Sequence, residues 1–113
     1  MVHIDTSTRP TATRLSIQGE LDMTTAGTVD EAIARAAASG SPLEIDLAEV
    51  DFIDGSGLSV LMDAESRARR SSHELRIVAA SRSVRRLIDL TDTADRVSPL
   101  APDTGAPVPA ANG

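Results

Sequence analysis

Apolar positions change period along the chain, and each change marks an element. An edge strand is expected near Val2–Asp5, followed by a half-buried strand in which Leu15 and Ile17 alternate with polar residues. From Thr24 to Ser39, Ala26, Val29, Ala32, Ile33 and Ala36 recur at helical spacing, and Gly40 with Pro42 stops the run. Leu43, Ile45 and Leu47 then alternate with Glu44 and Asp46, which predicts the next strand. A second helix is expected from the face formed by Leu58, Leu61, Met62 and either Glu65 or Ala68. It closes on Arg67, Arg69 and Arg70, where cations suit the carboxyl-end dipole. Leu75, Ile77 and Ala79 predict another strand, Val84, Leu87 and Ile88 a last helix, and Val97 a short extended piece. Strands alternating with helices predict an α/β layer with parallel crossovers.

Between the strand at Leu43–Leu47 and the helix at Leu58 stands Asp51-Phe52-Ile53-Asp54-Gly55-Ser56-Gly57-Leu58, which reads as an acidic, apolar turn leading into small residues. This junction is where chemistry would concentrate. A nucleophile elbow needs Gly-x-Ser-x-Gly with a later acid and histidine, but here glycine flanks Ser56 directly, and the only later histidine, His73, lies just beyond the same helix. A dinucleotide loop would need a third glycine, and a P-loop needs Gly-Lys-Ser/Thr. Neither a hydrolase nor a nucleotide-binding loop is therefore expected at this junction.

Composition narrows the partners. The 113 residues suffice for one domain with one core. Phe52 is the only aromatic residue, so the core is built from Ala, Val, Ile and Leu, and base stacking is not on offer. A formal charge of −6 opposes a nucleic-acid backbone as ligand. Without cysteine, and with His3 and His73 far apart, no metal site or cofactor is expected. No signal segment or apolar run of membrane-spanning length is present, so a cytoplasmic protein without membrane insertion is expected. The domain is expected over residues 1–100. From Ala101 the sequence APDTGAPVPAANG lacks recurring large apolar residues and is expected to form a disordered tail.

Four strings in order carry a resemblance over roughly residues 10 to 98. They are Gly19-Glu20-Leu21-Asp22 followed by Thr25-Ala26, the strand LEIDLAEV, the junction DFIDGSGLSVL, and Ser83-Val84-Arg85-Arg86-Leu87-Ile88-Asp89-Leu90. Together they resemble the STAS domain family, and within it the bacterial anti-sigma factor antagonists. The resemblance implies a small mixed β-sheet with helices packed against it. It also implies a function: binding an anti-sigma factor with serine kinase activity, releasing a sigma factor for transcription, and being switched off by phosphorylation. STAS domains also serve as regulatory subunits of membrane transport complexes and as scaffold subunits of stress-sensing assemblies, and both stand as alternatives. Oligomeric state is not indicated.

The resemblance places a partner-binding surface on Asp22, Thr24, Asp54, Gly55, Ser56, Gly57, Leu58 and Ser59. The family's phosphorylated hydroxyl follows the aspartate immediately, and that place holds Gly55. Ser56 is the candidate acceptor one residue on, but one helical step turns a side chain by roughly 100°. Ser56 also reads as a helix N-cap or first-turn residue, with Asp54 as the alternative cap, and Asp22 reads as a cap for the first helix. The two readings of the junction are a displaced acceptor or a surface that phosphate does not switch.

Overall fold

The structure, a computed structural model, describes residues 1–91. The expected tail and the extended piece at Val97 lie outside the described residues. Strand β1 (Val2–Thr8) runs antiparallel to β2 (Thr13–Leu21). Helix α1 (Ala26–Ala37) then crosses to β3 (Leu43–Ile53), and α2 (Gly55–Arg70) crosses to β4 (Leu75–Ala80), making two parallel pairs. The sheet order is β1-β2-β3-β4, and α3 (Arg82–Thr91) follows. This is the small mixed sheet with helices that the resemblance implied.

Alternation sends Leu15, Ile17 and Leu21 of β2 and Leu43, Ile45 and Leu47 of β3 to one face, where they are buried. Val29 and Ile33 of α1, Leu58, Leu61 and Met62 of α2, and Val84 and Ile88 of α3 join them in one core cluster. The opposite face is polar. There Arg14 donates to Glu44 across the β2–β3 pair at 3.0–3.1 Å.

Strand β3 departs from the sequence expectation. It does not stop at Val50, where the string LEIDLAEV ends, but continues through Asp51, Phe52 and Ile53, which read as a turn. Two register shifts explain the difference: Ser16 and Gln18 oppose Asp46 and Glu49, and Gly19 and Glu20 oppose Val50 and Phe52. Each inserts one extra β3 residue, a β-bulge, so core-facing positions after Leu47 come at Val50 and Ile53, three apart. The Asp46 carboxylate accepts from the Ala48 amide at 2.9 Å beside the first bulge. A further shift in β4 makes Ala80, not Ala79, pack on the core. On α2, Ala68 completes the buried face, while Glu65, itself largely buried, pairs with Arg69 through one carboxylate oxygen.

Burial assigns the cost of truncation. Ile45→Ala removes a fully buried side chain from the centre of the sheet and is expected to cost about 2–5 kcal/mol in urea unfolding. Gln18→Ala, exposed on the polar face, is expected to stay within about 0.5 kcal/mol.

Candidate functional site

The carboxyl ends of β2 and β3 lie side by side, with Leu21 opposite Ile53, and both chains leave the sheet there into a helix. The region outside the carboxyl ends of parallel strands is where open α/β sheets commonly bind their ligands. The Asp54 amide donates to the Leu21 carbonyl at 3.2 Å and ties the two exits together.

Asp54 is the N-cap of α2. Its backbone is extended, and its carboxylate accepts from the Gly57 amide at 3.1 Å, satisfying one of the amides a helix start leaves unpaired. Of the readings of this start, Asp54 is the cap and Ser56 is a first-turn residue, the second of the helix. Gly57 is buried against the strands. A Cβ there would collide with the Leu21 carbonyl oxygen and lie 2.8 Å from Leu21 Cγ and 3.0 Å from Ile53 Cγ1. Only glycine lets α2 begin so close to the sheet. Gly55 differs: it has no positive φ, and a Cβ there would meet nothing within 4 Å.

The neighbouring β2–α1 loop is built on Asp22. Its carboxylate accepts from the Thr24 hydroxyl at 2.7 Å and from the Thr24 and Thr25 amides at 3.0 and 3.2 Å. Asp22 is not the N-cap of α1, a position held by Thr25. It closes an Asx turn one step earlier, and its carbonyl accepts from the Ala26 amide. The Thr24 hydroxyl, with the two amides adding to it, holds the Asp22 carboxyl below its ordinary value of 3.8, against a smaller opposing effect of burial.

The fold thus brings the expected residues together at one end of the sheet, with different roles. Thr24, Gly55 and Ser59 are exposed, and Asp22, Asp54 and Ser56 are half-buried. Gly57 and Leu58 are buried and support the surface from behind. Gly55 and Ser59 are one helical turn apart on the same exposed stripe. Thr25 entered the sequence reading only as part of the first string, not as a site residue, yet its hydroxyl donates to the Glu20 carbonyl at 2.7 Å and accepts from the Asp22 amide at 2.9 Å. Among the described residues no group of three metal-ligating side chains occurs, and no helix is long and apolar enough to cross a membrane.

Two outcomes test this geometry. Gly57→Ala is expected to destabilise the domain by about 1–3 kcal/mol through overpacking, whereas Gly55→Ser is expected to leave unfolding within about 0.5 kcal/mol of wild type. For Asp22, a depressed folded pKa means that its contribution to stability is complete above the unfolded carboxylate value and is lost as pH falls through the lower, folded one. Thr24→Val should therefore move the Asp22 carboxyl titration upward, toward 3.8, as read by carbon NMR. An unchanged titration would show that the hydroxyl does not hold the charge.

Comparison with known proteins places this geometry among relatives. A family model described as STAS domain matches residues 3–106. The chain is 25% identical over 104 residues to an anti-sigma-B factor antagonist of Bacillus subtilis, covering 92% of this chain and 95% of that one. It is 35% identical over 80 residues to an anti-sigma-B factor antagonist of Listeria monocytogenes, covering 70% of each. Its fold superposes on the crystal structure of an anti-sigma factor antagonist from Mycobacterium paratuberculosis with a TM-score of 0.79 at 30% identity, covering 92% of this chain and 88% of that one. With a family model spanning most of its length and two parallel crossovers converging on a capped helix start, the chain belongs to the STAS domain family.

Proposed function

We propose that this protein is an anti-sigma factor antagonist: a binding module, not an enzyme, that engages an anti-sigma factor through the Asp22–Thr25 loop and the amino end of α2. The observation that carries this reading is the junction itself. It presents small, exposed residues on a rigid, capped helix start, in a chain whose relatives carry that name. The partner is an anti-sigma factor with serine kinase activity, and its capture frees a sigma factor.

Binding here is not switched by phosphate at the family's position. Gly55 has no hydroxyl, Ser56 is turned about 100° away along the helix, and Ser59 lies one turn deeper on the exposed stripe. The capping carboxylate of Asp54 already occupies the Gly57 amide, so a phosphate on Ser56 would approach a like charge.

The test is phosphorylation by the cognate anti-sigma kinase with ATP. Wild type is expected to gain little phosphate, and Gly55→Ser to become a substrate. Gly55→Asp should weaken binding by about 1–3 kcal/mol, one to two decades in affinity, at unchanged melting temperature. Rapid phosphorylation of wild type mapped to Ser56 would establish the displaced acceptor instead. Normal folding with undiminished binding in both Gly55→Asp and Ser56→Asp would remove the junction from the interface.

A further inference from the structure

The apolar side chains at this end of the molecule do not all lie on the helix side. Phe52 is the chain's only aromatic residue, and it is 50% exposed. It stands opposite Glu20 in the β2–β3 register, and both precede core-facing residues, Ile53 and Leu21. Alternation therefore turns Phe52 to the polar face of the sheet, away from the helices. Met23, in the loop just beyond Leu21, is 76% exposed. Both residues lie within two positions of the Leu21–Ile53 pair.

The surroundings of these two side chains are acidic. Glu20, Asp22, Glu49, Asp51 and Asp54 lie on the two strand ends and the turns that follow, and the chain carries no Lys or Arg between Arg14 and Arg35 or between Arg35 and Arg67. Glu20 pairs with the Met1 ammonium at 2.7 Å, and the Ser83 hydroxyl donates to the Asp51 carbonyl at 2.9 Å, which sets the start of α3 beside the end of β3. Glu20, Glu49 and Asp51 are exposed and Asp22 and Asp54 half-buried, so the strand ends present carboxylates to a partner.

We infer that the docking surface wraps around the end of the sheet onto its polar face, where Phe52, with Met23 beside the loop, anchors a protein partner whose apolar cleft is rimmed by Lys and Arg. This rests on the anti-sigma antagonist reading and extends its surface beyond the helix start. An exposed aromatic beside the exposed Glu20 and Asp51 is what a partner with a basic-rimmed pocket would desolvate: the phenyl group supplies contact area with few rotamers to freeze, and the carboxylates steer approach. The second bulge in β3 is what turns Phe52 to this face, since without it the alternation set by Leu43 and Leu47 would be one position out.

The experiment measures binding of the purified anti-sigma factor by surface plasmon resonance. Phe52→Ala and Met23→Ala are each expected to raise Kd tenfold or more, chiefly through faster dissociation, with melting temperatures unchanged. Asp51→Lys should slow association, and the wild-type association rate should fall as salt rises. Leu90→Ala, which truncates an exposed side chain on α3, should leave Kd unchanged. If Phe52→Ala proves unstable, Met23→Ala and Phe52→Leu carry the comparison. Wild-type binding with both anchor variants equally tight would overturn this inference while leaving the functional reading in place. Absence of binding by wild type would sink the functional reading and this inference with it. A wild-type dimer that Phe52→Ala converts to monomer would assign the surface to a second copy and overturn the inference as well.

Discussion

The close approach of α2 to the ends of β2 and β3 governs the rest of this structure. Gly57 lies against the Leu21 carbonyl and the Ile53 side chain, and that same carbonyl accepts from the Asp54 amide. The contact fixes where α2 starts, and Asp54 caps that start from one residue outside the helix. Leu58 and Leu61 then reach the core beside Ile45 and Leu47. A side chain at position 57 would lift the helix start away from the sheet and loosen the cap, the strand pairing and the exposed surface together.

Around that contact two polar devices hold the binding end without large side chains. Asp54 caps a helix, and Asp22 closes an Asx turn stitched to the sheet by the Thr25 hydroxyl. Each device satisfies backbone amides that the turn would otherwise leave unpaired. The rigid frame therefore comes from backbone and short polar groups, which leaves the exposed positions Gly55 and Ser59 free of structural duty.

Most of the fold was legible in the sequence because the periods are clean: Leu43-x-Ile45-x-Leu47 reads as a strand and Val29-x3-Ile33 as a helix. The second half of β3 was not. Bulges replace the spacing of two by a spacing of three, so Ile53 does not register as a strand position, and DFI reads as a turn. The cap on α2 was ambiguous for a related reason. Asp54 and Ser56 both have capping side chains, and only the point where β3 ends decides between them. The candidate surface was visible as a string of residues, but which of them face outward depends on packing that a string does not carry. Gly57 and Gly55 look alike in sequence, and one is buried while the other is open.

The separation of the sheet's two faces bears on how such a protein can change over time. Every helix contributes to a core on one side, while the other side carries Arg14, Glu44, Gln18 and Phe52 with no element laid over them in the described residues. Substitutions on the covered side are constrained by close packing. Those on the bare side are constrained chiefly by what touches them from outside. A lineage that duplicates this gene can therefore redraw the bare side residue by residue, giving each copy its own counterpart and insulating parallel signalling routes from one another, while the packed half of the molecule is inherited almost intact.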